Sequence, residues 1–445
     1  MLKDSVLGKC VLTALFLAVA CSDTSSGDGY SGTGGTVAGT GGAVAGTGGL
    51  IADTCGPVAV TEMQEFDANV PTGWAVVPGY GIETTTGGGG GEVVTASSGG
   101  ELGGYAGDET PRIILVQGSL SGGEINIGSN KTIIGVGADT SLRGMLNMNP
   151  SQNVIIRNLN ISGGNDAIAA RHTNHLWIDQ LDVSSCSDGL IDITRESDIY
   201  TVSWTRFSDH HKTMLLNGGS KHREDEGKLN GTVHHCWFDG SNTRNPRAGF
   251  GMIHVLNNLY NDNGYCIGLH SLCKVVAERN YFRSTKNCIR QMYTSDKSDG
   301  EYGSAISVDN FFDGECNDDS DGVGFTVTDY YLYDFFMDQA ENVPSVVEPA
   351  VGPSAEYGEI GLMPIPGQGA VGVSSSTLSW KTGTESASCY AVYFGTTTSP
   401  PQVAAISETS LDVGPLSPGT VYYWRVDQVA SGTTVPGKLW TFKAQ

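Results

Sequence analysis

Basic residues are scarce in this chain. Its 445 residues include 25 lysines and arginines against 48 aspartates and glutamates, which gives a formal net charge of −23 at pH 7. A charge of that size and sign argues against nucleic acid as a partner. It also means that an anionic substrate would need a local cluster of positive side chains.

Charged residues of either sign make up only 16% of the chain, whereas glycine occurs 62 times. Low charge combined with many Gly, Asn, Ser and Thr residues is typical of a turn-rich all-β protein rather than a helical one. No lysine follows the "GGGGGE" run at the spacing of a phosphate-binding loop, so we interpret that run as a turn. The chain length suits two domains, or one large repetitive domain with a smaller one.

A long apolar run is also missing near the N-terminus. The stretch "CVLTALFLAVAC" follows Lys3 and Lys9 and is too short for an ordinary membrane span. It predicts an export signal over residues 1–21. The end of this stretch resembles a lipoprotein cleavage box with Cys21 as the lipidated residue, and simple secretion is the alternative. Either route gives a secreted or cell-surface protein, whose remaining cysteines can form disulfides.

Composition divides the rest of the chain into three parts. Residues 22–53 consist almost wholly of small residues, so we predict a flexible linker there. Residues 54–350 form the main domain. Residues 365–445 contain short alternating segments such as "YAVYFGT" and "YYWRVDQV", which predict a small β-sandwich. This module resembles fibronectin type III domains, and extra strands of the main domain are the alternative.

The main domain repeats with a period of about twenty-two residues. Paired apolar residues recur in stretches such as "NVIIRNLNIS", "HLWIDQLDVS" and "MIHVLNNLYN". A fixed period of this size indicates a solenoid, and β-branched residues with Asn and Gly at the bends indicate strands. We therefore predict an all-β parallel β-helix whose coils stack about 4.8 Å apart. The repeat aligns on Ile134, Ile156, Ile178, Val202, Val233, Val255 and Ala277.

Stacked coils bring residues at equal offsets from these positions together. Asp166, Asp188 and Lys212 each follow their position by ten residues, and Arg244 follows by eleven, so we expect one column of charged side chains. Carboxylates one strand spacing apart repel unless a cation lies between them. A solvated charge ladder is the alternative interpretation.

The same reasoning applies to two cysteines. Cys266 and Cys288 each follow their aligned position by eleven residues. Their Cα atoms should then lie one strand spacing apart, which a disulfide allows. We predict a Cys266–Cys288 disulfide.

Several longer motifs resemble the family 1 polysaccharide lyases, the pectate and pectin lyases. They include "NKTIIGVGADTSLRG", "CSDGLIDITRESDIYTVSWTRFSDHHKTML" and "TVHHCWFDGSNTRNPRAGFG", and the likeness covers roughly residues 60–340. The resemblance implies a right-handed parallel β-helix, in agreement with the repeat. It also implies a lyase, acting as a monomer, that cleaves polygalacturonate by β-elimination to 4,5-unsaturated products.

The resemblance implies roles for individual residues. Asp166, Asp188 and Asp192 match the calcium ligands of the family, and calcium prefers several hard oxygen ligands. Lys212 matches the lysine that contacts a substrate uronate, and Arg244 matches the arginine that removes the proton at C5. Pectin lyases lack this acidic set, so its presence favours the calcium-dependent pectate lyases.

Two features of "TRNPRAGFG" are unusual. Arginine is a poor base because its solution pKa lies near 12.5 or above; the ring of Pro246 fixes one backbone torsion and so helps to hold Arg244 still. Many family members also carry a further arginine where this chain has Gly249, and Arg247 is the nearest substitute. We expect weak or unusual substrate binding, and we expect Gly249→Arg to lower KM. An inactive β-helix that binds polygalacturonate and a pectin lyase remain alternatives.

Overall fold

The computed structural model describes residues 65–217, 219–292, 301–355, 361–384, 387–430 and 433–445. The predicted export signal, Cys21 and the linker over 22–53 lie outside these residues. No helix in the described part of the chain is long and apolar enough to cross a membrane. The described residues form a parallel β-helix followed by a C-terminal pair of sheets, so the predicted fold class is confirmed.

Face 1 of the β-helix is a sheet of ten strands, one from each successive coil. Its strands pair in parallel, because each coil returns to the same face one step further along the axis. In order, the strands are Glu92–Ala96, Arg112–Val116, Lys131–Gly135, Ser151–Arg157, Thr173–Asp179, Asp198–Ser203, Gly231–His234, Met252–Leu256, Lys274–Glu278 and Ser304–Val308.

The other two faces form one continuous sheet. In the first coils, three long strands bend from face 2 into face 3: Ser119–Asn126, Ser141–Met148 and Asn160–Arg171. Later coils place a separate short strand on each face. Face 2 contains Asp182–Ser184, Arg206–Ser208, Trp237–Asp239, Leu259–Asn261, Tyr281–Arg283 and Phe311–Asp313. Face 3 contains Ile191–Thr194, Met214–Leu216, Arg247–Ala248, Ile267–Leu269, Asn287–Gln291 and Asn317–Asp318.

Columns of apolar side chains fill the interior of the β-helix. The predicted alignment holds from Ile156 to Ala277, and each of its residues pairs with the next. The alignment is wrong by one residue at its start, because Ile133 rather than Ile134 pairs with Ile156. Ile133 lies in the β-helix core, whereas Ile134 packs on the outer side of face 1. Both are fully buried, so apolarity alone did not distinguish them.

A ladder of aromatic rings stacks behind face 2, with its first four rings buried and its last ring, Phe312, 38% exposed. Successive ring centroids lie 4.9, 5.0, 4.7 and 5.3 Å apart, and the planes are nearly parallel. Stacked rings contribute to stability beyond the area that they bury. The members of this aromatic ladder are Phe207, Phe238, Tyr260, Phe282 and Phe312.

Short helices cover the ends and one side of the β-helix. The α-helix Gly99–Ala106 covers the first coils, where Leu102 and Ala106 join the core. Ser98 caps this helix by accepting a hydrogen bond from the Glu101 N–H. The remaining helices are the α-helix Val343–Val347 and the 3₁₀ helices Gly73–Val76, Arg223–Asp225, Val327–Asp329, Asp334–Phe336 and Ala340–Asn342.

The C-terminal part consists of two sheets. A three-stranded antiparallel sheet contains Met363–Ile365, Thr377–Lys381 and Ser410–Asp412. Its side chains, such as Leu378 and Trp380, pack against Val392 and Trp424 of the other sheet. That six-stranded sheet contains Ala370–Val373, Trp440–Ala444, Val421–Ala430, Cys389–Gly395, Gln402–Ile406 and Thr433–Val435.

The C-terminal sheets share a hydrophobic core with the β-helix. Ile113, Ile155 and Trp177 project outward from face 1 into the same buried cluster as Trp380 and Trp424. All five side chains are at most 2% exposed. The two parts therefore pack as one body along face 1, and face 3 is left free of the C-terminal sheets.

The predicted Cys266–Cys288 disulfide is wrong. Cys288 is bonded to Cys316, with a Cα–Cα distance of 5.8 Å, and Cys266 is a buried free thiol. The reason is that Cys288 has a neighbouring coil on each side: the strand Asn287–Gln291 pairs with one strand that follows Cys266 and with another that follows Cys316. The repeat places both Cys266 and Cys316 close to Cys288, so it does not predict which of the two forms the disulfide.

Candidate active site

The predicted site residues gather on the outer side of face 3. Asp192 and Arg247 lie on strands of this face, and Asp166 lies on the long strand Asn160–Arg171 that leads into it. Asp188 and Lys212 lie in the turns just before the strands of the next two coils. Arg244 occupies the corresponding turn one coil later. The structure therefore brings all six residues to neighbouring coils on one side of the molecule.

Asp166 and Asp192 form an acidic pair. A Cβ atom on Gly189 would lie 2.7 Å from Asp192 Oδ1 and 2.9 Å from Asp166 Oδ1, so both carboxylates face the same small space. The Gly189 N–H donates to Asp166 Oδ1 at 2.7 Å. Among the described residues Asp192 Oδ1 is buried and has no hydrogen-bond partner. Burial, and then the charge of Asp166, raise the pKa of Asp192 to about 7.

Asp188 is held apart from the acidic pair by a positive side chain. Lys212 Nζ donates to Asp188 Oδ1 at 2.6 Å, and this bond lowers the pKa of Asp188. His210 Nε2 donates to the Asp188 carbonyl at 2.8 Å and fixes the turn. In this arrangement no three His, Cys, Asp or Glu side chains of the described chain come together as a metal cluster.

The backbone of Arg244 is fixed by the residue that follows it. Arg244 has a left-handed φ of 64°, which is uncommon outside glycine and asparagine. The buried side chain of Asn245 accepts from Ser241 Oγ at 3.0 Å and donates to the Tyr265 carbonyl at 2.9 Å. The Arg244 carbonyl accepts from the Met214 N–H. Within the described chain the Arg244 guanidinium has no ion-pair or hydrogen-bond partner, so it is free for a substrate.

Two further arginines extend the positive charge beyond Arg244. Arg247 is half-buried, and burial lowers the pKa of its guanidinium. Gly268 pairs with Arg247 on one side and with Arg290 on the other, so the two arginines lie in one outward row. The Arg290 guanidinium lies 5.7 Å from the centre of the Tyr265 ring. These residues and Lys212 supply the positive cluster that an anionic substrate needs in so acidic a protein.

The predicted charge column is out of register. Lys212 pairs through its backbone with Thr243 rather than with Arg244, and the Asp188 N–H bonds to the Asn165 carbonyl rather than to Asp166. The turns before face 3 differ in length from coil to coil, so equal offsets from face 1 do not survive to the site. Lys212 still contacts Asp188, because its side chain is long enough to bridge one residue of slippage.

Gly249 is closed off by a neighbour from the previous coil. A Cβ atom at this position would lie 2.7 Å from Asn217 Cβ and 2.9 Å from Asn217 Nδ2. Contacts this short require a shift of the neighbouring strand. The effect of Gly249→Arg on KM stays a prediction, and the new side chain fits only if Asn217 moves or is also changed.

Comparison with known proteins identifies the family. The pectate lyase family profile matches residues 6–327, and pectate lyase A of Emericella nidulans is 34% identical over 256 residues, which cover 54% of this chain and 75% of that protein. The chain belongs to the pectate lyase family. It is a polysaccharide lyase.

Solved structures similar to this chain have the same fold. A pectate lyase from Bacillus sp. N165 in complex with trigalacturonate is 25% identical, with a TM-score of 0.57, and the match covers 64% of this chain and all of that one. The major allergen of cedar pollen is 27% identical, with a TM-score of 0.56, over 64% of this chain and 93% of that one. Neither match covers the whole of this chain.

Sequence reasoning missed four residues that support this pectate lyase site. They are His210, which fixes the Asp188 turn; Asn245, which clamps Arg244; and the pair Tyr265 and Arg290. Arg290 lies two coils after Arg247, so the sequence repeat could have predicted its place in the same row. The other three residues act through hydrogen bonds or ring contacts between turns. Such contacts leave no regular spacing in the sequence from which they could be predicted.

Proposed function

We propose that this protein is a calcium-dependent pectate lyase that cleaves polygalacturonate by β-elimination. The observation that carries the proposal is the buried, unpartnered Oδ1 of Asp192 beside Asp166. A buried polar atom without a partner costs free energy, and two facing carboxylates repel. Both costs are relieved by a hard divalent cation, which oxygen ligands of this kind bind.

The ligands that this chain offers to calcium are Asp166 and Asp192, with Asp188 as a third. Asp188 becomes available when its bond to Lys212 opens, and Lys212 is then released toward the substrate. Calcium bound there supplies positive charge next to a uronate carboxylate and so stabilises the charge that develops in the transition state.

The positive side chains of the site have separate roles in proton transfer and substrate binding. Arg244 has no ion-pair or hydrogen-bond partner for its side chain in the described chain, and its backbone is fixed. We therefore assign it the role of the base, which in its neutral form accepts the C5 proton. Lys212 and Arg247 bind substrate carboxylates. As the C5–H bond breaks, its electron pair forms the C4–C5 double bond, and the C4–O bond breaks with its pair on the leaving oxygen. The product is a 4,5-unsaturated oligogalacturonide.

The wider organisation of the protein belongs to the same proposal. Pectate lyase relatives and the Bacillus complex with trigalacturonate support polygalacturonate as the partner. We propose an exported monomer with a signal over 1–21, a linker over 22–53 and a lyase domain over 54–350, either free or lipid-anchored at Cys21. Three strands packed on a larger sheet support a fibronectin type III-like module over 365–445.

The test is an assay of the purified protein on polygalacturonate, following the ultraviolet absorbance of the new double bond. We expect activity with calcium and none after chelation. Asp192→Asn should raise the calcium concentration for half-maximal activity by at least about tenfold, because one hard ligand is lost. Asp139→Asn, which changes an exposed aspartate in an earlier coil, is the matched control.

Two results would contradict the proposal. Full activity in the presence of chelator would exclude the calcium requirement. Tight binding of polygalacturonate without any absorbance change would indicate a binding protein rather than an enzyme.

A further inference from the structure

A recess of about 430 Å³ lies beside the acidic pair, on the side of the earlier coils. Its lining includes Asn165 and Ser187, the residues immediately before Asp166 and Asp188, so the recess adjoins the candidate site. The other polar side chains that line it are Arg143, Glu124 and Ser121. Nothing in the proposed reaction uses this space.

The recess exists because the first long strands do not pair evenly. The register shifts between Ser121 and Gly123 in one pairing and between Gly144 and Leu146 in the next. Bulges of this kind bend a sheet and often lie next to active sites. A Cβ at Gly144 would lie 2.4 Å from the Gly123 carbonyl oxygen, so the irregular strands stack closely only without a side chain there.

Arg143 is held in place at the edge of this recess. Its backbone pairs with Ser121 on one side and Ser162 on the other, so it belongs to a rigid strand. Its side chain lies along Gly163: a Cβ added to that glycine would be 3.0 Å from Arg143 Cγ and 3.3 Å from Cζ. Within the described chain Arg143 is exposed and has no ion-pair partner.

The acidic side chain in the recess is already engaged. Asn147 Nδ2 donates to Glu124 Oε1 at 2.9 Å. Glu124 keeps its negative charge in that bond. Arg143 is the positive side chain of the recess and has no ion-pair partner in the described chain, and an arginine fork suits a carboxylate. Asn165 and Ser187 offer donors and acceptors for hydroxyl groups. An anionic sugar unit presents both of these chemical groups.

We infer that this recess is a substrate subsite that binds a uronate unit of the same polysaccharide chain, with Arg143 contacting its carboxylate. The inference rests on the proposed function. The strand of Arg143 lies four coils before the strand that follows Arg244, or about 19 Å along the axis at the spacing of stacked strands. Only a substrate long enough to extend from Arg244 past the acidic pair reaches Arg143.

The test compares Arg143→Gln with the wild type on oligogalacturonides of increasing length. For long polygalacturonate we expect KM to rise about tenfold, as for loss of one charge-assisted contact, with kcat within about twofold. The shortest oligomer that the enzyme cleaves should show no change. On intermediate lengths the positions of the cleaved bonds should shift. Lys274→Gln removes a positive charge from an exposed residue of face 1 and is the matched control.

Three outcomes would overturn the inference: an equal loss at every substrate length, no change at any length, or an equal loss in Lys274→Gln. Binding measured by calorimetry in the Arg244→Lys background separates this inference from the proposed function. If the wild type never cleaves but Arg143→Gln still weakens binding of long oligomers alone, the recess is a subsite and the enzymatic proposal is the part that fails.

Discussion

Arg244 combines a strained backbone with an unpaired side chain. A left-handed conformation costs a residue other than glycine about 1–2 kcal/mol, and here the hydrogen bonds of Asn245 hold it in place. Strain of this kind persists only where surrounding contacts fix it, and other turns of the β-helix also hold left-handed residues, among them Gln180 and His235. The proline in the sequence suggested a rigid segment, and the buried asparagine beside it provides the clamp.

Arg244→Lys should lower turnover of polygalacturonate by about 10²–10⁴-fold, the usual contribution of a positioned proton-transfer group. Lysine is shorter and has a point charge in place of a planar fork. Initial rates of ultraviolet absorbance give the loss, and thermal unfolding monitored by circular dichroism should be unchanged. Near-normal turnover in this variant would assign the base to another residue.

Gly249→Arg should destabilise the protein by about 1–3 kcal/mol, the usual cost of forcing extra atoms into a packed site. The clash is with Asn217, so the double variant Asn217→Gly/Gly249→Arg should recover most of the loss. Chemical denaturation of the two variants and the wild type measures both effects. If the single variant is as stable as the wild type, the strand carrying Asn217 is freer than its packing indicates.

At the scale of elements, the disulfide Cys288–Cys316 links two neighbouring coils. It closes a loop with a sequence separation of 28, which corresponds to about 3.5 kcal/mol in the chain-entropy account. Cys316→Ser should lower the free energy of unfolding by this order. Cys186→Ser, which changes a half-buried free thiol, is the control and should have little effect. Mass mapping that finds Cys266 bonded to Cys288 would contradict the assignment.

His175 fixes the loop that crosses face 1 after the first 3₁₀ helix. Its Nε2 lies 3.2 Å from the Val77 carbonyl, and its side chain is fully buried. Burial lowers its pKa from 6.5 to about 4, so the unfolded chain binds the proton more readily. The contribution of His175 to the free energy of unfolding is fully present above pH 6.5. As the pH falls toward 4, about 3 kcal/mol of this free energy is lost.

The variant His175→Gln isolates this contribution. Between pH 7 and pH 4 the free energy of unfolding of the wild type should fall more steeply than that of the variant, when both are measured in urea. Other buried histidines contribute equally to both proteins and cancel in the difference. Parallel curves would show that His175 keeps an ordinary pKa in the folded protein.

The periodic elements were predictable from sequence, and the contacts between turns were not. From Ile156 to Ala277 each strand of face 1 pairs as the aligned apolar residues predict, because these residues mark the same face in every coil even where the coil length varies. At Ile134 two adjacent isoleucines are both buried, on opposite sides of the strand, and the pattern could not separate them. Lys212 pairs with Thr243 instead of the predicted Arg244 for a different reason. The turns vary in length, whereas the strands keep their repeat.

At the scale of the whole molecule, the C-terminal sheets are part of one packed body with the β-helix. Removing residues 362–445 would expose the outward side chains of face 1, among them Ile155 and Trp177. Each fully buried side chain of this size contributes about 1.5–3 kcal/mol. The truncated chain should unfold at lower temperature and associate through the exposed face, which calorimetry and light scattering would measure.

A milder version of this test keeps the chain complete. Trp380→Ala should destabilise the protein by about 3–5 kcal/mol, as for other buried aromatic residues, and Val403→Ala, at an exposed residue of the same module, is the control. Equal stability of the truncated and full-length chains would show that the shared core contributes little.

The aromatic ladder behind face 2 has a consequence for how the β-helix comes apart. In a solenoid each repeat contacts only its neighbours, so stability is a sum of repeat and interface contributions. Rings stacked from Phe207 to Phe312 strengthen four successive interfaces at once. The coils that carry Arg244, Arg247 and Arg290 lie within this run. We therefore expect them to exchange amide hydrogens as a single cooperative unit, so that the candidate site keeps its shape while the ends of the β-helix fray.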